Sequence, residues 1–235
     1  MRNIILVGMA RESSTRILSK MTRPFCDTTL YEIYLKKFEE ILAMKHPFSR
    51  IIMAINKNNK TLWELSRNTT IEIAERDDYS VEANTVMPSE IQKFLSKYKE
   101  NFVLNVNGCC PFLKPETIIK LADYFIQNES IKSITCVRKR ANHFWDMDTH
   151  KPINNIDPTC LNTKALKPIY ENVNSMLVYS RKRMLETNSY WDYTKDHPHL
   201  YVLPDDIECL DIDTESEFKI CETLWRGKAT CATLT

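Results

Sequence analysis

The chain has 235 residues, 43% of them hydrophobic, and its 32 basic side chains nearly balance 31 acidic ones. This length suits a single α/β domain with a sizeable core, and the small net charge provides no bulk field that would favour nucleic acid as a partner. No apolar run reaches the roughly 20 residues that cross a bilayer and the first run is too short for a secretory signal, so we expect a cytoplasmic protein without a membrane partner.

Strand-like and helix-like segments alternate from the N-terminus to about residue 137. Strands are predicted over residues 3–7, 50–55, 70–74, 102–106 and 131–137, and helices over residues 28–44, 63–67, 88–98 and 115–127. The strand segments are short, nearly continuous apolar runs, a pattern typical of strands that are covered on both faces. The alternation predicts an α/β fold with a mostly parallel sheet and helices on both of its faces.

The segment from about residue 138 to residue 173 interrupts this alternation. It is rich in Asn, Lys, His and Pro and has little periodicity, and a long connection of this kind is more often functional than idle. An insertion that binds an acceptor substrate, a dimer arm and a disordered loop are the three interpretations. Strands resume over residues 174–179 and 200–203, and Thr214 and Glu217 form a capping box for a final helix. We therefore treat residues 1–235 as one domain.

A loop of small residues that carries three cations follows the first predicted strand. The cations are Arg11, Arg16 and Lys20. At the carboxyl end of a buried strand, main-chain N–H groups of such a loop can hold phosphate oxygens, and the cations can neutralise charge on a leaving pyrophosphate. The alternative is a basic loop that is merely solvated.

Two carboxylates, Asp211 and Asp213, precede the last predicted helix. Residues two apart in an extended segment point the same way, so both carboxylates can face one cation. Oxygen ligands that share a divalent ion with substrate phosphates fit Mg²⁺. An acidic turn that suits the helix dipole is the alternative interpretation.

Two further predicted strands end in residues that suit a ligand. After the strand over residues 102–106, Gly108 allows a ligand to approach the backbone closely, and Asn107 can bond a ribose or a base edge; a plain strand-to-helix turn is the alternative. After the strand over residues 70–74, Arg76 can reach a phosphate or a ribose, or pair with its acidic neighbours. The basic run over residues 138–140 is either a solvated face or a set of contacts for an acidic acceptor.

The five histidines and eight cysteines show no metal-ligand spacing, and without a C-x-x-C pair the cysteines favour reduced, mostly buried thiols over disulfides. By contrast, the basic loop, the arginine, the glycine turn and the acidic pair all follow predicted strands. The carboxyl ends of strands form the edge at which open α/β sheets bind ligands. The sequence therefore predicts one site built from all four features.

These residues resemble the nucleotidyltransferases that activate sugars and sugar acids with CTP. The signature loop of that family is similar to the pattern A-R-x-x-S-x-R-x-x-x-K, formed here by Ala10, Arg11, Ser14, Arg16 and Lys20. The D-I-D-T sequence at residues 211–214 is similar to the metal-binding close of the sialic-acid cytidylyltransferases. Residues 174–179 lie where that group has an N-G-x-x-Y strand, and the resemblance runs in order from residue 4 to about residue 224.

The resemblance implies a Rossmann-like fold, CTP as the donor, Mg²⁺ as the cofactor and a homodimer. The site residues that it implies are, for the nucleotide, Ala10, Arg11, Ser14, Arg16, Lys20, Arg76, Asn107 and Gly108, and, for the metal, Asp211 and Asp213. An acceptor oxygen would attack the α-phosphorus in line with pyrophosphate as the leaving group. Catalysis would then rest on positioning and charge neutralisation, with Arg11 and Lys20 as the catalytic cations.

The chain departs from the family pattern in ways that bear on the acceptor. Residues 12–15 replace the glycine-rich part of the loop, and Cys109 stands where Kdo-activating relatives place a metal-binding Asp. A neutral thiol is a poor ligand for Mg²⁺, which leaves Asp211 and Asp213 to hold the ion. The Gln of the sialate enzymes is missing too, and related capsule-modification enzymes transfer CMP to a phosphorylated metabolite such as L-glutamine phosphate.

The predicted function is therefore transfer of CMP from CTP to a small acidic acceptor, for capsule or surface polysaccharide biosynthesis. The acceptor is either a nonulosonic-type sugar acid or a phosphorylated metabolite. The alternatives are a nucleotidyltransferase that uses another nucleoside triphosphate and a non-catalytic module that binds nucleotides.

Overall fold

The fold is built on one large sheet. The computed structural model describes residues 2–12, 14, 16–77, 87–154 and 162–232 of the chain. The strands of the sheet are β1 (Ile4–Ala10), β4 (Arg50–Asn56), β5 (Glu72–Arg76), β6 (Phe102–Val106), β7 (Ile134–Arg140), β8 (Ile169–Ser180) and β9 (His199–Val202). Two short strands, β2 (Pro24–Phe25) and β3 (Thr28–Thr29), form a separate antiparallel ladder.

The sheet is mixed but mostly parallel, with the strand order β5-β4-β1-β6-β8-β7-β9. Parallel pairing joins β1 to β4 and β6, β4 to β5, and β7 to β9. Within this sheet, as the described residues show it, β8 alone runs antiparallel to its neighbours, β6 and β7. The prediction of a mostly parallel α/β sheet is confirmed.

Helices cover both faces of this sheet. The α-helices are α1 (Leu30–Ala43), α2 (Lys60–Leu65), α3 (Pro88–Ile91), α4 (Pro115–Gln127), α5 (Arg181–Thr187) and α6 (Glu215–Ala232). Three short 3₁₀ segments span Lys93–Lys97, Thr163–Ala165 and Asp206–Cys209. The predicted capping box is present at the start of α6, where the Glu217 amide donates to Thr214 Oγ1 and Glu217 Oε2 accepts from the Thr214 amide.

Alternate side chains of β1 supply two separate cores. Ile4 and Leu6 lie in the large core with residues of α1, α4 and α6. Ile5 and Val7 lie in a smaller core, with Leu95 of the first 3₁₀ segment and Met184 of α5. Because all four side chains are buried, β1 reads as a continuous apolar run rather than an alternating one. This arrangement confirms that helices lie on both faces.

The irregular segment is shorter at both ends than the sequence predicts. Strand β7 continues to Arg140, and β8 begins at Ile169. The Glu171 carboxylate accepts hydrogen bonds from Arg138 at 2.6 Å and 2.9 Å and from Arg140 at 2.5 Å. Because these bonds lower the pKa of Glu171 to about 2, the pairing persists across the physiological pH range. Ion pairs between β7 and β8 thus stabilise strand structure at residues whose polarity predicts a loop. Two of the three basic side chains of the 138–140 run, Arg138 and Arg140, are used in these pairs.

Other boundaries differ in smaller ways. The helix predicted over residues 88–98 is α3 followed by a 3₁₀ segment, and the break falls at Gln92. This side chain is 2% exposed, accepts from the Tyr179 hydroxyl and donates to the Tyr190 hydroxyl. Helix α1 begins at Leu30 rather than at Thr28, because Thr28 and Thr29 belong to β3. The sequence also failed to predict α5 after β8.

Residues 141–168 connect β7 to β8, and residues 155–161 of this connection lie outside the described residues. Trp145 and Pro152 form an isolated antiparallel bridge. Within the parts of the chain that the structure covers, no helix has the length and apolar character to span a membrane. The described cysteines are free, and Cys110, Cys136, Cys209 and Cys221 are buried, as the sequence predicts for them.

Candidate active site

A polar cavity of about 220 Å³ lies at the carboxyl ends of β1 and β6, beside the turn that precedes α6. We call it the polar cavity. It is lined by Met9, Ala10, Arg11, Ser14, Arg16, Lys20, Met21, Asn107, Gly108, Cys109, Asn174, Asp211 and Asp213. The fold therefore brings nine of the ten predicted site residues together, and Arg76 is the exception.

Lys20 lies at the centre of the polar cavity's charge network. Its ammonium donates to the Ile212 carbonyl at 2.6 Å and to Asp213 Oδ1 at 3.2 Å. Burial alone would lower the pKa of Lys20, but contacts with the Cys109 thiol and the Asp213 carboxylate outweigh burial and raise it. Lys20 is therefore a permanent, nearly buried cation fixed to the acidic turn.

The two carboxylates of the turn have different surroundings. Asp213 pairs with Arg16 at 2.8 Å as well as with Lys20. Asp211 Oδ2 accepts from Asn107 Nδ2 at 3.0 Å, whereas Asp211 Oδ1 is buried and has no hydrogen-bond partner among the described residues. Burial, followed by the charge of Asp213, raises the pKa of Asp211 to about 6. The cavity therefore holds one carboxylate oxygen that lacks the partner a buried acceptor ordinarily has.

The acidic turn is tied to the end of β6 by several hydrogen bonds. The Ile212 amide donates to the Cys109 carbonyl at 3.0 Å. Asn107 Oδ1 accepts from the Cys109 amide at 2.9 Å, while its Nδ2 holds Asp211. Both the oxygen and the nitrogen of the Asn107 side-chain amide thus bond within the protein, and this side chain orients Asp211. A contact of Asn107 with a ribose or a base stays a prediction.

Gly108 lies against a buried tyrosine. A Cβ atom at this position would lie 2.5 Å and 2.6 Å from the Cδ1 and Cε1 atoms of Tyr34. Tyr34 cannot move aside freely, because its hydroxyl donates to the Val106 carbonyl at 2.5 Å and accepts from the Met9 amide at 3.2 Å. Close packing beneath the cavity, rather than an unusual backbone angle, therefore requires glycine here.

We expect Gly108→Ala to lower the free energy of unfolding by about 1–3 kcal/mol, because the added methyl overpacks this site. Gly227 is the matched control, since it is exposed within α6 and a methyl group added there would have no neighbouring atom within 4 Å. Gly227→Ala should instead raise the free energy by about 0.5–1 kcal/mol through helix propensity. Urea unfolding of both variants measures this, and equal stability of Gly108→Ala and the parent chain would contradict the packing argument.

The remaining predicted residues lie at the edge of the site. Arg76 is the last residue of β5 and donates to the Ala10 carbonyl at 3.4 Å, so it contacts the base of the loop without lining the polar cavity. Ser14 Oγ accepts from the Ile17 amide at 3.4 Å, and Arg11 is exposed. Other positions that the sequence singled out, 13, 15 and 78, lie outside the described residues.

Four lining residues were not predicted as site residues: Met9, Met21, Cys109 and Asn174. Asn174 opens the segment 174–179, which the sequence predicts as a strand, and that position was the available signal. Cys109 was noted only as a departure from the family pattern, yet its thiol contacts Lys20 in the cavity. Burial raises the pKa of Cys109, so the thiol stays neutral at physiological pH.

The chemistry of the polar cavity fits a divalent cation in part. Among the described residues, no group of three or more His, Cys, Asp or Glu side chains has the arrangement of a metal site. The unpartnered Asp211 Oδ1 nevertheless supplies an anionic oxygen of the kind that Mg²⁺ prefers. Asp213 is the second candidate ligand, and it is held by Arg16 and Lys20.

A second cavity of about 770 Å³ lies beside β7, β8 and β9. Its walls include Trp191 and Tyr193, whose rings meet edge to face at 5.9 Å, together with Lys195 and Asn172. We call it the aromatic cavity. Each cavity has a lining residue on β8: Asn172 lines the aromatic cavity, and Asn174, two residues further on, lines the polar cavity.

The sequence matches the family model of the cytidylyltransferases over residues 4–203. The chain belongs to this family and is accordingly a nucleotidyltransferase of the cytidylyltransferase type. The resemblance deduced from the motifs is confirmed. Among curated proteins no sequence match was found.

Solved structures with low sequence identity share the fold. CMP:2-keto-3-deoxy-manno-octonic acid synthetase complexed with CTP has a TM-score of 0.67 at 12% identity, over 96% of this chain and 99% of that one. The 4-diphosphocytidyl-2C-methyl-D-erythritol synthase from Anaerococcus prevotii has a TM-score of 0.65 at 14% identity, with the same coverage of both chains. A cytidylyltransferase from Leptospira borgpetersenii has a TM-score of 0.57 at 13% identity, over 94% of this chain and 84% of that one.

Proposed function

We propose that the protein transfers CMP from CTP to a small acidic acceptor in a Mg²⁺-dependent reaction that releases pyrophosphate. The observation that carries the proposal is the joint presence of Arg11, Arg16 and Lys20 with the Asp211 and Asp213 carboxylates in one cavity. A triphosphate needs cations around its leaving group, and an accompanying divalent ion needs oxygen ligands.

Each residue has a defined part in this proposal. Arg11, Arg16 and Lys20 bind the β- and γ-phosphates, and backbone groups of the loop and of Gly108 approach the nucleotide. The acceptor oxygen forms a bond to the α-phosphorus, and the bond from that phosphorus to the bridging oxygen breaks, so that pyrophosphate carries the departing electron pair. A sugar-acid hydroxyl gives up its proton to water in this step, whereas a phosphate oxygen attacks in its deprotonated form. Arg11 and Lys20 neutralise the charge that develops on this leaving group.

Asp211 and Asp213 would hold the magnesium ion. When bound, the ion would polarise the phosphoryl oxygens as a Lewis acid. Asn107 fixes the orientation of Asp211, and Lys20 keeps the turn that contains both carboxylates attached to the loop. Arg16, Lys20 and the magnesium ion would compete for the Asp213 carboxylate. Nucleotide phosphates that pair with Arg16 and Lys20 would therefore leave this carboxylate available to the ion.

The aromatic cavity is proposed to receive the acceptor. Aromatic rings present flat apolar faces, while Asn172 and Lys195 offer an amide and a cation for the polar groups of an acidic molecule. These features accommodate a nonulosonic-type sugar acid and also a phosphorylated metabolite such as L-glutamine phosphate. The aromatic and polar cavities have lining residues two positions apart on β8, which supports this assignment, because the acceptor oxygen must reach the α-phosphorus.

We expect Tyr193→Ala to raise the KM for the acceptor about 2- to 12-fold and to leave the KM for CTP unchanged. The ring is 85% exposed, so its removal should not disturb folding, and a lost aromatic contact is worth about 0.5–1.5 kcal/mol. Ile220→Ala is the control, since Ile220 of α6 is also exposed but does not line the aromatic cavity. A Tyr193→Ala variant that raises the KM for CTP instead would contradict the proposal that the acceptor binds in the aromatic cavity.

Pyrophosphate release with CTP and Mg²⁺ tests the function, with two separate acceptor pools. One pool contains sialic, legionaminic, pseudaminic and Kdo-type acids, and the other contains phosphorylated small metabolites including L-glutamine phosphate. Release with the first pool alone assigns the enzyme to sugar-acid activation, and release with the second alone assigns it to activation of a phosphorylated metabolite. Release with neither pool contradicts the proposed acceptor class.

Two alternatives are separated by simple measurements. A competition series with the four nucleoside triphosphates identifies the base, and preference for UTP or GTP would replace CTP as the donor. A non-catalytic module would show no turnover with any of them. Retention of Lys20, Asp211 and Asp213 in one cavity favours an enzyme over such a module.

We further propose that the protein acts as a homodimer through the connection over residues 141–168, in capsule or surface polysaccharide biosynthesis. Exposed apolar side chains on this connection, Trp145, Met147 and Ile153, support the dimer. Sedimentation analysis of the full chain and of a Met147→Glu variant tests it. Dimers that persist unchanged in the variant would exclude this part of the connection from the interface.

A further inference from the structure

A third cavity, of about 180 Å³, lies among α1, the start of α4 and α6, and four lysines line it: Lys36, Lys37, Lys114 and Lys228. We call it the lysine cavity. None of its lining residues lines the polar cavity. We propose that the lysine cavity is a second anion site, which binds a small tetrahedral oxyanion of the inorganic phosphate type.

Lys37 is the central observation. This side chain belongs to a residue that is only 5% exposed, and its ammonium donates to the Cys110 carbonyl at 2.8 Å. An ammonium has three N–H donors, and that bond is its one hydrogen bond to a described residue. A buried cation with unused donors is poorly compensated, and burial lowers the pKa of Lys37 to about 8. An oxyanion in the cavity would supply the missing acceptors.

The charges around Lys37 favour an anion. Glu40 is the acidic side chain that lines the cavity, and it faces Lys36 and Lys228 as well as Lys37. These three lysines make no ion pair with a described residue. Lys114 differs, because it pairs with Asp205 at 3.1 Å and with Glu208 at 3.4 Å; the carboxylate of Glu208 therefore already has its cation.

The backbone adds to this field. Helix α4 begins at Pro115, directly after Lys114. The Lys114 amide donates to Glu208 Oε2 at 3.0 Å, and the Lys114 side chain makes no capping hydrogen bond to the first turn. The positive end of a helix dipole stabilises a neighbouring anion, and Lys114 and Pro115 at this helix start line the cavity. The dipole and the unpaired lysines thus act in the same direction.

Size selects a small ligand. A volume of about 180 Å³ corresponds to roughly six water molecules at about 30 Å³ each. A phosphate ion with part of its hydration shell fits this space. Trp225 forms one wall, and its indole reports on whatever binds.

The indole N–H resonance of Trp225, assigned with Trp225→Phe, can be followed by NMR while inorganic phosphate is added at constant ionic strength. We expect a saturable shift of this resonance, and at least a tenfold weaker apparent affinity in the double variant Lys36→Gln with Lys228→Gln. Both lysines are exposed, so this variant should fold, and Lys37→Met provides a second test.

Arg16→Gln is the control for phosphate that binds in the polar cavity. The Trp225 titration should be unchanged in this variant, because Arg16 lies in the other cavity. No saturable shift in the millimolar range, or an unchanged titration in the double variant, would overturn the proposal. The same titration is repeated with acetate at the same ionic strength. Tighter binding of acetate than of phosphate would overturn the assignment to a tetrahedral oxyanion.

Discussion

Asp211→Asn should lower kcat/KM for pyrophosphate release by about 10²–10³-fold, the range found when one charge-stabilising group is removed from an active site. Asp211 supplies the unpartnered anionic oxygen of the polar cavity, and an amide oxygen is a far weaker ligand for Mg²⁺. The double variant Asp211→Asn with Asp213→Asn should abolish Mg²⁺-dependent turnover. Turnover that survives in the double variant would contradict the metal assignment.

Thermal denaturation gives a measure of this site that does not depend on activity. Mg²⁺ should raise the Tm of the parent chain at pH 7.5, because a ligand that binds only the folded state stabilises it. The same addition should leave the Tm of Asp211→Asn nearly unchanged. An equal rise in both proteins would place the ion elsewhere.

The pH dependence of metal-free stability has a definite sign. The folded-state pKa of Asp211 is about 6, above its ordinary value of 3.8, so the folded chain binds the extra proton between about pH 4 and pH 6. The free energy of unfolding that Asp211 contributes therefore falls as the pH rises through this window, by about 2–3 kcal/mol at 1.36 kcal/mol per pKa unit. We expect the stability of the parent chain relative to Asp211→Asn to decline over the same interval, and a relative stability that rises instead would contradict the burial of this carboxylate.

The strands and the turn that carry the site residues could be predicted, because each is identified by residues that are close together in the sequence. The apolar run before Arg11 identifies a buried strand, and the alternation of strands with helices places the carboxyl ends of β1 and β6 at one edge. The pair Asp211 and Asp213, followed by a capping box at Thr214, fixes an extended turn before a helix. Each of these inferences uses residues that are close together in the chain.

The contacts that complete the site could not be predicted, because they join distant parts of the chain. Asn107 was predicted to meet the nucleotide, yet its side chain holds Asp211, which lies 104 positions away. Likewise Gly108 suggested a ligand close to the backbone, whereas the atoms that exclude a larger residue belong to Tyr34. At 138–140, composition predicted a loop, because the Glu171 that pairs with the two arginines lies about 30 residues further along.

Two cations link the loop to the acidic turn, Arg16 through Asp213 and Lys20 through Asp213 and the Ile212 carbonyl; of the two, Lys20 is the nearly buried one. Lys20 donates both to the main chain of the turn and to Asp213, so without nucleotide it occupies the carboxylate that a metal would use. The structure thus gives Lys20 two opposing effects: it holds the turn in place for catalysis, and it competes with Mg²⁺ for Asp213. A single substitution should separate them.

We expect Lys20→Met to lower kcat for pyrophosphate release by about 10²–10³-fold and at the same time to tighten Mg²⁺ binding in the absence of CTP. The methionine retains an apolar stem of similar length, so the loss is mainly that of the charge and of the bond to the Ile212 carbonyl, with a stability loss of about 1–3 kcal/mol. Isothermal titration with Mg²⁺, together with turnover assays well below the Tm, measures both effects.

Arg16→Gln is the matched comparison for Lys20→Met, because Arg16 also pairs with Asp213 but its side chain is 64% exposed. Exposed ion pairs contribute about 0–1 kcal/mol, so the change in Mg²⁺ affinity should be smaller than in Lys20→Met. If Lys20→Met instead weakened Mg²⁺ binding, Lys20 would be acting only to position the two carboxylates, and competition for Asp213 would be excluded.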